Sequence, residues 1–154
     1  PAKWGRIKRA VEIRDGLKKD ALIIGNGDAT SLHDARLKAE ESGADGIMLG
    51  RAIFGNPFLF LNSQEFENRN DWAVARKYLE VMIEHSRLFE DFFAGVKSFS
   101  IMKKHYKAYV EGFSGAKELR GRLMEAENAD EIEDIVNEFV YTRETLSMAR
   151  GSIV

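Results

Sequence analysis

Two short apolar runs, Ala21–Ile24 and Gly46–Leu49, each stop at a glycine with a polar or charged neighbour. Gly25-Asn26-Gly27-Asp28 follows the first run and Gly50-Arg51 the second. Between them, Ser31 with Asp34 three residues on is a capping-box pattern. Leu32, Ala35, Leu37 and Ala39 supply an apolar face, and Gly43 marks a helix stop after Ser42. The pattern predicts a β–α–β unit within Ala21–Phe60, with parallel strands and a loop at the carboxyl end of each. The unbroken apolar character of Ala21–Ile24 predicts a strand buried on both faces.

In α/β folds the loops at the carboxyl ends of the strands are where ligands bind. Glycine lets the main chain approach an oxyanion, and backbone N–H groups supply donors. Arg51 adds a planar charged fork suited to phosphate. A helix starting at Ala52 and stopped by Pro57 would aim its positive dipole end at the same place. Either loop alone reads as an ordinary strand-ending turn with a surface arginine. At the ends of consecutive parallel strands, the two together point to one shared phosphate site. His33, beside the first loop, reads as a solvated surface residue.

The remaining chain is predominantly helical. Trp4–Lys18 is predicted as a helix on the spacing of Ile7, Ala10, Val11, Ile13, Arg14 and Leu17. Phe54, Phe58, Phe60 and Leu61 form a dense apolar group read as a plug joining two substructures. SQEFENRND is polar and loop-like, which places a domain boundary near 61 to 70. Four helices follow: Asp71–Phe93, Val96–Val110, Ser114–Ala126 and one capped by Asn128 with Glu131. The first is expected to turn Val74, Ala75, Tyr78, Leu79, Met82, Leu88, Phe89 and Phe92 inward. The second uses Val96, Phe99, Met102, Tyr106 and either Tyr109 or Val110, the third Ala116, Leu119 and Leu123, and the last Ile132, Ile135, Val136, Phe139, Val140, Thr142 and Leu146. Short glycine turns between them predict a small antiparallel bundle.

The net charge of −2 hides a strong asymmetry. Residues 97–122 carry seven basic residues against two acids, whereas residues 123–154 carry eight acids against two basic residues. Lys97, Lys103, Lys104 and Lys107 recur at helical spacings, with His105 among them and Lys117, Arg120 and Arg122 beyond. Two readings stay open from the residues alone. The acidic last helix neutralises the basic pair inside the bundle, or the basic strip with its tyrosines neutralises phosphates of an RNA backbone.

The absence of cysteine removes disulfides, thiolate metal sites and a cysteine acid from this chain. No apolar run approaches the roughly 20 residues of a membrane span, and PAKWGRIKRA lacks a signal-peptide core. A complete (β/α)8 barrel needs about 250 residues, and only two strands are legible in these 154. The chain starts at Pro1, directly before a helix, and is expected to be the carboxyl-terminal part of a longer enzyme. A self-contained α/β module is the alternative, with bare sheet edges.

IIGNGD followed by GADGIMLGRAIFGNPFLF resembles the end of the barrel in tRNA-dihydrouridine synthases. KSFSIMKKHYKAYVEGFSGAKELRGRL resembles the helical domain of the same family. The resemblance covers most of residues 4 to 125. It implies an α/β fragment of a TIM (β/α)8 barrel, its last two strands, over residues 1–62, followed by an all-α helical tRNA-binding domain over 63–154. It implies Asn26, Gly27, Asp28, Gly50 and Arg51 as contacts to the phosphate of FMN. It implies tRNA contact by Lys97, Lys103, Lys104, His105, Lys107, Arg120 and Arg122.

The chemistry so implied is reduction of the 5,6 double bond of a tRNA uridine by FMN that NADPH has reduced. A cysteine on an earlier barrel loop acts as acid, so catalytic residues are expected upstream and the piece alone is expected to be inactive. No metal, no membrane, a monomeric full-length enzyme and a cytoplasmic location complete the expectation. Two rivals are another phosphate-binding barrel enzyme (a flavin oxidoreductase or a sugar-phosphate enzyme) and a non-catalytic RNA-binding helical module.

Overall fold

A computed structural model describes residues 1–61 and 64–151. The chain divides into two compact units, Pro1–Asn62 and Ser63–Val154. The boundary expected near 61 to 70 includes Asn62 and Ser63, which lie outside the described residues.

The first unit contains α1 (Trp4–Gly16), β1 (Ile24–Asn26), α2 (Leu32–Ser42) and β2 (Gly46–Met48). The strands pair in parallel, with Ile24 opposite Gly46, Gly25 opposite Ile47 and Asn26 opposite Met48. The β–α–β order is as the sequence predicts, but β1 lies further along the chain than Ala21–Ile24. A side chain accounts for the shift. The Asp45 carboxylate accepts the Ile23 N–H at 2.7 Å and also receives the Arg14 guanidinium. Arg14 in turn donates to the Ala21 carbonyl at 3.2 Å. The backbone before Ile24 is therefore tied to α1 and to the residue preceding β2, and the ladder begins at Ile24, three residues after the predicted start.

The strand is also not buried on both faces. Side chains alternate across a sheet. Gly25 is buried against Trp4 and its neighbour Ile47 is half-buried, while Ile24 and Met48 on the opposite face are 52% and 56% exposed. Leu22 is exposed as well, at 74%. α1 and α2 pack on each other and α2 packs on β2, leaving one face of the two-stranded sheet uncovered among the described residues. In α2, Ser31 Oγ accepts the Asp34 N–H at 3.0 Å, the expected cap. The returning carboxylate bond goes one residue earlier than a capping box requires, from Thr30 N–H to Asp34 at 2.8 Å. The helix expected from Ala52 is a single 3-10 turn, Arg51–Ile53. Phe54, Phe60 and Leu61 are exposed.

The second unit is helical: α3 (Trp72–Phe93), α4 (Lys103–Tyr109), α5 (Ala116–Leu123) and α6 (Ala129–Gly151). α3 packs on α4 and α6, and α5 on α4 and α6. Tyr78, Leu79, Met82, Met102, Tyr106, Leu119, Leu123, Ile132 and Val136 are buried at their centre. The inward stripe of α3 stops earlier than periodicity suggests. Leu88 and Phe92 are exposed, the latter at 76%. Val96 is 77% exposed and precedes a 3-10 turn at Phe99–Met102, so the second predicted helix is shorter and starts with tighter winding. Leu146, expected inward on α6, is exposed. Asn128 caps α6 by accepting the Glu131 N–H at 2.8 Å, and the Glu131 carboxylate accepts from Glu127 N–H at 2.8 Å.

Arg69 fixes the far end of α4. Its guanidinium lies 4.0 Å from the centre of the Tyr78 ring, donates to the Ala108 carbonyl at 2.6 Å and pairs with Glu111 at 2.8 Å. The chain next turns at Gly112, whose φ is +87°, and a Cβ there would lie 2.8 Å from Arg69 Cβ and 3.2 Å from its carbonyl. Gly95 has a similar φ of +71° with open space around it. Gly112→Ala therefore meets both conformational strain and a backbone clash, Gly95→Ala strain alone. Urea denaturation is expected to show about 1 kcal/mol lost for Gly95→Ala and about 2–4 kcal/mol for Gly112→Ala.

Candidate phosphate site and basic face

Asn26, Gly27, Asp28, Gly50 and Arg51 line one open cleft of about 650 Å³ together with Ala29, Thr30, Met48 and Ala52. The parallel pairing of β1 and β2 brings the two loops side by side, because both strands end at the same level of the sheet. Arg51 reaches across to the Asp28 carboxylate. Its side chain is 88% exposed, so the rest of the guanidinium fork faces solvent. Among the described residues, the N–H groups of Gly50, Arg51 and Ala52 donate to no backbone carbonyl. Amides without a backbone acceptor, beside an arginine whose remaining edge faces solvent, form a donor set that suits a phosphate monoester. The single 3-10 turn after Gly50 carries too little dipole to add the helix-end attraction expected from the sequence.

The first loop is positioned from behind by residues at the start of α1. Asp28 adopts a φ of +52°. Its carboxylate accepts the Ala2 N–H at 2.6 Å on one oxygen and the Arg51 guanidinium on the other. The Ala2 hydrogen bond, followed by the Arg51 charge, holds its pKa below the usual carboxylate range. Asn26 is part of β1 rather than of the turn, and its amide sits 3.3 Å from Met48 Sδ on the uncovered face of the sheet. Trp4 and Ala2, which the sequence showed only as a helix start and its flank, are structural neighbours of this loop. His33 is exposed, in keeping with a solvated role.

The basic residues of the second unit separate into two groups. Arg120 donates to the Val110 carbonyl at 2.6 Å, closing the carboxyl end of α4, and Arg122 pairs with Glu138 of α6. α6 is neutralised further by Arg76 through Glu144 at 2.9 Å and by Arg87 through Glu133. The internal complementarity foreseen from charge thus exists, but arginines of α3 and α5 supply it. Lys103, Lys104, Lys107 and Lys117 form no ion pair among the described residues. Lys103, Lys104 and Lys107 share one side of α4, opposite the buried Met102, Tyr106 and Tyr109. Lys97 lies 4.1 Å from the centre of the Phe93 ring. His105 packs edge-on against His85 at 5.1 Å. Burial, then the charges of His85 and Lys104, push its pKa down, so at neutral pH it brings hydrogen-bonding capacity rather than charge.

Among the described residues, no cluster of three or more histidine, aspartate or glutamate side chains is placed to hold a metal ion, and no helix is long and apolar enough to cross a membrane.

The dihydrouridine synthase family model matches residues 1–145. The chain is 31% identical over 139 residues to a probable tRNA-dihydrouridine synthase 2 of Bacillus subtilis, covering 90% of this chain and 41% of that protein. It is 32% identical to probable tRNA-dihydrouridine synthases of Staphylococcus aureus and Staphylococcus epidermidis, again over 90% of this chain and over 40% and 41% of theirs. The chain therefore spans about two fifths of the length of these relatives. With the match running through both the glycine loops and the helical unit, the chain belongs to the dihydrouridine synthase family.

Proposed function

We propose that this chain serves flavin-dependent reduction of uridine to 5,6-dihydrouridine in tRNA, holding the phosphate of FMN in the first unit and the tRNA backbone on the second. The observation that carries the reading is the single cleft formed by Asn26, Gly27, Asp28, Gly50 and Arg51. Arg51 and the amides after Gly50 hold the phosphate oxygens. Gly50, where a Cβ would stand in open space, keeps a side chain out of the approach, and Gly27 lets the main chain close against Ala2. Asp28 keeps Arg51 aligned across the two loops. FMN, reduced by NADPH, supplies the hydride when bound. The exposed face carrying Ile24 and Met48 is the lining of a larger parallel barrel, in which these strands are the last two.

The residues in hand bind and orient, and none of them is the acid. The proton donor in the family resemblance is a cysteine, and this sequence has none. Turnover is therefore proposed to need residues beyond this chain, and the chain alone to be inactive. Lys103, Lys104 and Lys107, with Lys97 and His105 beside them, are proposed to face the tRNA phosphates. Arg120 holds the carboxyl end of α4 through the Val110 carbonyl, and Arg122 ties α5 to Glu138 of α6. A reading in which the charge asymmetry is wholly internal is disfavoured by these free lysines. A monomeric, cytoplasmic full-length enzyme that uses neither metal nor membrane completes the proposal.

Removing the Arg51 fork (Arg51→Ala) is expected to weaken FMN binding about tenfold or more, measured by flavin fluorescence quenching. Replacing Lys103, Lys104 and Lys107 together by Gln is expected to weaken tRNA binding and to flatten the slope of log affinity against log salt by about 2–3, if each lysine neutralises one phosphate. An unchanged slope would remove α4 from the interface. Asp28 is depressed in the free chain, so the contacts it makes are complete above an ordinary aspartate pKa and are lost as pH falls through the lower folded value. Phosphate bound beside it, a monoanion over the acidic range in which Asp28 titrates, should raise that pKa, visible as an upward shift of the Asp28 carboxyl carbon titration in NMR when phosphate is added.

A further inference from the structure

We infer that Trp4 is a positioning residue for the anion loop, setting the course of Gly25–Asp28 through its indole ring and its N–H. The inference rests on the phosphate reading of that loop.

Three independent contacts converge on the indole. Its Nε1–H donates to the Gly27 carbonyl at 3.1 Å. Its six-membered ring occupies the space a side chain would need at Gly25, where a Cβ would sit 2.5 Å from Cζ3 and 2.9 Å from Cη2. The Lys38 ammonium lies 5.9 Å from the ring centre. Lys38 is itself held by Asp34, the residue whose carboxylate accepts the Thr30 N–H. The indole thus connects the end of β1 to the start of α2, the two segments that the loop must join.

The hydrogen bond to Gly27 has a directional consequence. Gly27 has a φ of +129°, and a Cβ there would lie 2.6 Å from Ala2 Cβ. The main chain runs against the residues before α1 with no side chain between. Fixing the Gly27 carbonyl toward Trp4 also fixes the plane of the following peptide, and hence the direction of the Asp28 N–H. The Asp28 carboxylate is held in the same way, by the Ala2 N–H. A loop held from behind at its carbonyl and its carboxylate is pre-organised, which lowers the cost of ordering it around an anion.

The phenylalanine variant W4F separates the two contributions, since it keeps a ring over Gly25 and removes the donor. Inorganic phosphate is the probe, titrated into the full chain; in every variant its binding is followed by the backbone amide 1H–15N NMR signals of Gly50 and Ala52, and in the native chain also by the indole 1H–15N signals. Only Trp4 and Trp72 contribute such signals. In the native chain the Trp4 signal is expected to move with phosphate and the Trp72 signal to stay. W4F is expected to bind phosphate about three- to tenfold more weakly, from loss of one hydrogen bond, with a urea midpoint close to native. R51A serves as the control for the site itself. If R51A loses phosphate while W4F binds as tightly as native, or if the native Trp4 signal stays still at saturation, Trp4 does not position the loop. If the native chain takes no phosphate, or R51A binds it unchanged, the anion reading fails instead and takes this inference with it. The Trp4 signal is read in the native chain, so misfolding of W4F leaves that arm decisive.

Discussion

The ion pair between Arg51 and Asp28 joins the ends of two strands that otherwise share only a three-residue ladder. So short a pairing holds little by itself. The first unit relies instead on polar ties between loops and helices. Arg14 and Asp45 bind the entry of β1 to α1, and Ala2 and Trp4 bind its exit. The cleft is therefore placed by hydrogen bonds at the strand ends more than by apolar packing between strands. That is consistent with a sheet whose second face carries exposed Ile24 and Met48.

The helical unit is organised differently. Its centre is an apolar cluster drawn from all four helices, with Leu79, Met82, Leu119 and Ile132 fully buried. Arginines then act at the helix ends and between helices. Arg69 and Arg120 satisfy carbonyls at the end of α4, where the helix dipole favours positive charge. Arg76, Arg87 and Arg122 meet the acids of α6. Such exposed pairs each contribute little to stability, on the order of 1 kcal/mol or less. Their consequence is for the surface: once the arginines have partners, the lysines of α4 carry the outward positive charge.

On the proposed reading, the two units serve one chemistry. Anchoring a cofactor phosphate and holding a polyanionic substrate both need positive groups, but of different kinds. A fork with fixed geometry suits a single phosphate, and mobile lysines suit a backbone that must be gripped without reading bases. Arg51 and the α4 lysines are distributed between the two units in that sense.

Much of this was legible in the residues themselves. Glycine and polar punctuation after apolar runs fixed the β–α–β order, and Ser31 and Asn128 marked helix starts because their side chains cap locally. The glycine loops and the basic strip carried the family resemblance. Periodicity failed where the outcome depended on a distant partner. It could not show that Asp45 captures the Ile23 N–H and delays β1, nor that Phe92 and Val96 face outward where α3 ends. It could not divide the arginines from the lysines, because only the packing of α5 on α4 and α6 gives Arg120 and Arg122 their acceptors. Nor could it give Trp4 a place behind Gly27, twenty-three residues away. Sequence by itself determined what forms from neighbours along the chain: helices, caps, turns and charge. Tertiary structure decided which polar groups meet, since hydrogen bonds and ion pairs act over a few ångströms and depend on where the backbone has brought their donors and acceptors.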